Sequence, residues 1–301
     1  MSTSVNASRS CILEEAYVVR NTAMITTRNR VLRAPQLVME KTLSRLPTDA
    51  DAILAITSGE GLRMVYRPQY DLNTRCLNGA EAQLRWHHPS KGVVPLSELT
   101  LIVRRLNLDA LLFNFVITQA IDVLCRMRDF DANISLTVST SVRTIGTPGI
   151  ARLLSNRMSR AGLPPRLLKI EVRENLVAFE APHLRACLDT FRMKGFSISL
   201  DVIDGGAATL KLLSHMPFEE VKVNGALSDG KKTLALSPAN ASTAFSQASL
   251  RNLKIPVCGI ESDLMIAPLR DMDFGAGQCN VFGCPLERAD FLKSVLFNST
   301  P

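Results

Sequence analysis

Glu81 and Arg85 stand four residues apart inside an apolar run, 79–86, that reads as a β-strand. Side chains alternate along a strand, so the two share one face. Comparable polar groups follow at the ends of later apolar runs. Ser139 follows 134–138, Glu171 and Glu174 close 167–172, and Asp201 ends 196–200. Lys222 sits within 220–223, Glu261 follows 255–258, and Gln278 opens 278–282. Taken singly, each reads equally as a surface, turn or cap residue. Glu81 and Lys222 differ, because each stands inside an apolar strand, where a lone charge is costly and a partner is expected. Several carboxylates gathered around one lysine have the composition of a divalent-cation site for phosphate-ester chemistry.

The elements that must position these groups are organised around 196–206. A short buried strand runs there into Asp201, then Val202, Ile203 and Asp204, then the Gly205-Gly206 turn. Carboxylates at the carboxyl ends of strands face a shared crevice in α/β folds. The eight strand-like runs are 62–67, 79–86, 134–138, 167–172, 196–200, 220–223, 255–258 and 278–282. Helical periods over 109–128, 149–161, 182–194, 207–215, 239–253 and 263–271 lie between most of them. Strands alternating with helices over this length predict an α/β fold, a TIM-like (β/α)8 barrel. Too few residues separate the first two strands for a helical crossover, and Asn73 and Gly79 supply turn chemistry. The first strand is therefore expected antiparallel to the second.

Residues 61–298 read as the barrel domain and residues 1–60 as an N-terminal extension. The Ser/Thr/Asn-rich 1–10 reads as disordered and 35–46 as helical. The 301 residues carry a formal charge of +7, compatible with an anionic partner or a solvated basic surface. No basic–aromatic stripe or zinc pattern points to direct nucleic-acid binding. No apolar run in the sequence reaches the roughly 18 residues of a membrane span, and 1–12 lacks the charge pattern of a secretory signal. Seven cysteines without a C-x-x-C pair predict reduced thiols and a cytoplasmic setting. None of the four histidines has the context of a Ser–His or Cys–His nucleophile.

Seven segments together resemble one family. They are Val65-Tyr66-Arg67-Pro68, the run from Gly79 through Glu81-Ala82-Gln83-Leu84-Arg85-Trp86 to Pro89, and Lys169-Ile170-Glu171-Val172-Arg173-Glu174. Leu200-Asp201 to Gly206, Val221-Lys222-Val223-Asn224, Gly259-Ile260-Glu261 and the run from Gln278 to Leu286 complete the set. Their order and spacing, over about residues 62–296, resemble the EAL domain, a family that includes phosphodiesterases opening cyclic di-GMP to a linear dinucleotide. The resemblance implies a barrel with its first strand reversed. It implies that Glu81, Glu171 and Asp201 stand at metal-ligand positions and that Lys222 and Gln278 stand at catalytic ones. It places Arg67, Gln83, Arg85 and Glu261 among ligand-binding positions, and Glu174 where a glutamate steadies the loop after the fifth strand. A homodimer is a further implication.

The departures set the functional expectation. Ser139 stands in place of an asparagine ligand, Val202 in place of the second aspartate of a pair, and Cys258 in place of a glutamate. Gln83 replaces the signature leucine and Arg67 a nucleotide-contacting glutamine, while Ile203, Asp204 and Gly205 alter the following loop. Valine donates nothing to a cation, and a thiol is poorly matched to Mg²⁺ or Mn²⁺. Two cations about 3.5–4 Å apart need bridging carboxylates. The expectation is a catalytically degenerate member with no cofactor beyond weak Mg²⁺ or Mn²⁺ binding, acting through a protein partner. A non-hydrolysing cyclic di-GMP receptor is the first alternative and a weak phosphodiesterase the second.

Overall fold

The computed structural model describes residues 46–173, 181–202, 215–224, 253–271, 274–279 and 284–299. Expectations for Glu174, for 203–206, and for helices at 35–46 and 239–253 lie outside them or nearly so; of 207–215 only the last residue is described.

Helix α1 (Asp49–Ser58) precedes the sheet and buries Ala52, Ala55 and Ile56, an i, i+3, i+4 stripe. Gly59 ends it in a left-handed conformation, its N–H returning to the Ala55 carbonyl. Asp51 ties the helix to the strands through Lys91 at 2.8 Å and His88 at 3.4 Å. The compact unit that contains the strands begins at Asp49. Helix α1 lies before residue 61, and its buried stripe is short and carries small alanines.

Strands β1 (Leu62–Asp71) and β2 (Leu77–His88) pair antiparallel, with Arg67 opposite Glu81. Asp71 makes the turn between them: its carboxylate accepts from the N–H groups of Asn73 and Thr74 at 2.9 and 2.8 Å. The Thr74 N–H is the main cause that holds the Asp71 carboxyl below its ordinary value. Gly79, expected in this turn, lies instead within β2, because both strands extend further than their apolar runs.

A short β3 (Gly92–Val94) folds back on β2. Helices α2 (Leu96–Arg105) and α3 (Asp109–Asp129) lead to β4 (Ser135–Thr140). Next come α4 (Val142–Ile145), α5 (Ile150–Arg160), β5 (Leu168–Arg173), α6 (Ala181–Met193), β6 (Ile198–Val202) and β7 (Glu220–Asn224). The remainder is β8 (Pro256–Ile260), α7 (Ile266–Asp271), β9 (Ala276–Cys279), β10 (Leu286–Glu287) and α8 (Arg288–Ser299).

Strands β2, β4, β5, β6, β7, β8 and β9 pair in parallel in that order, and β1 closes the ring antiparallel to both β2 and β9. The result is the α/β barrel with the reversed first strand. Its wall alternates strictly: Leu168, Ile170 and Val172 of β5 are fully buried, while Lys169, Glu171 and Arg173 take the other face. Helix α3 is long and apolar enough to cross a membrane by length and composition, unlike the shorter uninterrupted apolar run. Its apolar stripe, including Phe113, Ile117, Ala120, Leu124 and Met127, is nevertheless buried in the core shared with the strands. It therefore reads as a core helix of the barrel.

Gly61 gives a direct test of how β1 is started. Its φ is +72°, and a β-carbon there would lie 2.3 Å from the His87 carbonyl oxygen, which is backbone and cannot yield. Gly61→Ala is expected to cost about 2 kcal/mol or more in urea unfolding. A loss below about 0.5 kcal/mol would show that this junction relaxes freely.

Candidate active site

The inward face of each strand supplies the site. Lys222 on β7 points across the barrel, and its Nζ lies 2.7 Å from Glu171 Oε2 on β5, 3.3 Å from Glu81 Oε2 on β2 and 3.8 Å from Asp201 Oδ1 on β6. Both expected partners of the buried charges are therefore one another. Glu81, Glu171 and Lys222 are almost wholly buried, and Asp201 is the most exposed of the four. Ser139 donates to Glu171 Oε1 at 2.8 Å, so both oxygens of that carboxylate are engaged.

Burial pushes the Glu171 carboxyl up to about 7, helped by the neighbouring carboxylates of Glu81 and Asp201 and only partly offset by Lys222. Burial also opposes ionisation of Glu81. Lys222, a hydrogen bond from Gln83 and the charge of Arg173 outweigh it and hold Glu81 below its ordinary value. Burial would lower Lys222, but the three carboxylates, Glu171 first, raise it above its ordinary value. Lys222 is thus a fixed internal cation at any ordinary pH.

Gln83 and Arg85 continue the inward face of β2. Arg85 Nη2 donates to Gln83 Oε1 at 2.9 Å, and its Nη1 donates to the Leu84 carbonyl at 3.1 Å. Gln278 on β9 is 3% exposed, and its Oε1 has no hydrogen-bond partner among the described residues. Cys258 on β8 donates its thiol to the Val223 carbonyl at 3.4 Å. Burial is the main cause pushing that thiol up to about 11, so it is neutral near pH 7. Val202 lies on β6 opposite Val223, Arg67 lies opposite Glu81, and Glu174 lies outside the described residues. Glu261 follows β8 directly but is exposed, with no hydrogen bond or ion pair to the described residues. The structure does not join it to the cluster.

Sequence reasoning passed over further groups. Arg173, two residues beyond Glu171 on the same face, lies 3.9 Å from Asp201 Oδ2. Beside this layer Lys169 pairs with Glu220, whose other oxygen accepts from Ser199 at 3.2 Å. The signal was present: Lys169, Ser199 and Glu220 each stand two residues before a group already singled out, and so on the same inward face.

Chemically, the cluster is a buried network of three carboxylates around one ammonium rather than an open carboxylate bowl. Among the described residues, no three His, Cys, Asp or Glu side chains are grouped so as to hold a metal ion.

Comparison with known proteins agrees with this architecture. The EAL domain family model matches residues 50–285. The cyclic di-GMP phosphodiesterase RocR of Pseudomonas aeruginosa is 27% identical over 274 residues, covering 91% of this chain and 69% of RocR. The oxygen sensor protein DosP of Escherichia coli is 26% identical over 253 residues, 81% of this chain but only 31% of DosP. The chain thus spans about a third of that relative's length. Among solved structures, the PaMucR phosphodiesterase in complex with c-di-GMP superposes with a TM-score of 0.70 at 21% identity, covering 81% of this chain and 99% of that one. The FimX EAL domain from Pseudomonas aeruginosa bound to c-di-GMP gives 0.67 at 17% identity, covering 79% and 96%. These structural likenesses bear on the fold, and the family match bears on ancestry: the chain belongs to the EAL domain family.

Proposed function

We propose that this barrel is a catalytically degenerate EAL domain that acts by binding, as a cytoplasmic regulator working through a protein partner in cyclic di-GMP-related signalling. The observation that carries the reading is the Lys222 ammonium held among Glu81, Glu171 and Asp201. These are the three carboxylates that a divalent cation would need. A cation there must share them with a resident positive charge. The flanking positions add little, since Val202 has no donor atom, Cys258 is a neutral thiol, and the Ser139 hydroxyl is engaged by Glu171. One divalent ion at most fits such a donor set, and the bridging carboxylates that a pair requires are missing.

The alternative, a receptor that binds cyclic di-GMP without cutting it, has its own support. Gln278 presents a buried acceptor with no partner among the described residues, which costs free energy unless a donor arrives. Arg85 is a cation steadied by Gln83, suited to charge-assisted contact with phosphate. Several named relatives act on or bind this nucleotide.

Calorimetric titration of cyclic di-GMP, with Mg²⁺ and with EDTA, separates the readings. Binding that survives EDTA and weakens about tenfold in Arg85→Ala favours the receptor. Absence of binding in both buffers leaves the protein-partner reading. Binding abolished by chelator points to a working metal site and sinks the degenerate reading.

A further inference from the structure

We propose that the cleft between α3 and α5, on the outside of the barrel and apart from the polar interior, is a binding site for an amphiphilic monoanion: a carboxylate carried on a medium-length hydrocarbon chain. The cleft has a volume of about 500 Å³, within the range of small-ligand sites. Two helical stripes at i, i+3, i+4, i+7 spacing face one another across it. On α3 the stripe contains Phe113, Asn114 and Ile117; on α5 it contains Ile150, Leu153, Leu154 and Arg157. Phe113, Ile117 and Leu154 are buried and make an apolar floor, whereas Leu153 at the rim is 54% exposed.

The charge in this cleft is one-sided. Its lining includes Arg152 and Arg157 and no Asp or Glu. Among the described residues Arg157 is held in place by neutral groups, donating to Asn114 Oδ1 at 2.8 Å and to Thr118 Oγ1 at 2.7 Å. Partial burial lowers its pKa from the ordinary value, as expected of a guanidinium drawn away from water without a carboxylate. Arg152 is exposed and makes no hydrogen bond or ion pair among the described residues. Both arginines lie on α5, Arg152 in its first turn, where the helix dipole adds to the attraction for an anion, and Arg157 in its last. An apolar floor beside two uncompensated guanidinium groups is complementary to a chain with one anionic end. A cation with the same tail would meet repulsion.

The test uses the whole protein labelled at isoleucine methyl groups, titrated with sodium decanoate, sodium butyrate and decyltrimethylammonium bromide below their self-association concentrations. Saturable shifts are expected at Ile117 and Ile150 with decanoate, at a Kd below about 1 mM. Butyrate lacks the tail and decyltrimethylammonium the negative charge, so both should bind at least about fivefold more weakly. Arg152→Ala removes no internal contact and should weaken decanoate binding about fivefold, and Leu153→Glu at the exposed rim should weaken it further. The proposal is overturned if decanoate gives no saturable shift below about 1 mM, if the cationic amphiphile binds equally well, or if neither variant changes the affinity. Binding of an acidic, leucine-rich peptide in place of decanoate would also overturn it, in favour of a protein ligand.

Discussion

Lys222→Met is expected to destabilise the barrel by about 3–5 kcal/mol near pH 8, a fall in melting temperature of roughly 6–20 °C. Methionine matches the length of the lysine stem but carries no charge. The substitution leaves Glu81, Glu171 and Asp201 facing one another, two of them almost fully buried, with Arg173 remaining 3.9 Å from Asp201. The penalty is that of uncompensated buried charge rather than of one lost hydrogen bond. Its pH dependence follows from the direction in which the carboxylates move. Without the ammonium, their folded-state pKa values rise above the unfolded ones. Stability from such groups is fully present below the unfolded pKa and is lost as pH rises through the folded pKa. In the parent protein Glu81 is held low by Lys222, which contributes stability above its unfolded pKa that is lost as pH falls. The gap between the two proteins should therefore close toward about pH 4 and open toward pH 8. Adding Glu171→Gln to the variant should recover part of the loss, because it removes a buried carboxyl that folding must hold protonated, at nearly constant volume. Thermal melts are run in EDTA so that no added cation substitutes for lysine. A variant that melts within about 2 °C of the parent at every pH would show that Lys222 does not hold the interior together.

The dependence on Lys222 also marks what was legible in the sequence and what was not. The strand runs were legible because both faces of a barrel strand are specified: Leu168, Ile170 and Val172 required one face, and the charges between them required the other. The reversed first strand was legible from chain length alone, because no helix fits between β1 and β2. Glu81 and Lys222 were legible as a pair in search of partners, since isolated charges in apolar strands are costly. The identity of the partner was not, because β2 and β7 are not neighbours in the sheet and their meeting depends on barrel closure. The ion pair between Lys169 and Glu220 escaped notice for the same reason: it joins side chains on β5 and β7, across β6. Helix α1 was missed because Ala52 and Ala55 carry little hydrophobic signal, although both are buried.

The change Ser139→Asn, Val202→Asp and Cys258→Glu, made together, is expected to restore divalent-metal binding, whereas Val202→Asp alone should do little. Hypothesis: turnover of cyclic di-GMP by the parent protein is at background because ligands are missing, not because the barrel differs. The motivation is that Glu81, Glu171, Asp201, Lys222 and Gln278 all face the interior while these three positions offer no carboxylate or amide oxygen. Two added carboxylates change the balance around Lys222, and a cation then has bridging oxygens to neutralise. The Ser139→Asn component would also release Glu171 Oε1 from the hydroxyl that now donates to it. Ligands of one site act as a unit, so single restorations are not additive. Without metal, the triple variant should be less stable than the parent, because two more carboxylates would repel those already around Lys222. Manganese should reverse that deficit saturably, by an amount that grows with the logarithm of its concentration above Kd. Hydrolysis should follow metal binding only in part, since a misplacement of about 1 Å can cost roughly a hundredfold in rate. Metal-dependent melting curves and chromatography of cyclic di-GMP incubations report the two effects separately. Robust, chelator-sensitive hydrolysis by the parent protein would falsify the degenerate reading and establish a one-metal phosphodiesterase in its place. Failure of manganese to stabilise the triple variant would instead show that the ligand positions inferred for Ser139, Val202 and Cys258 do not converge on one cation.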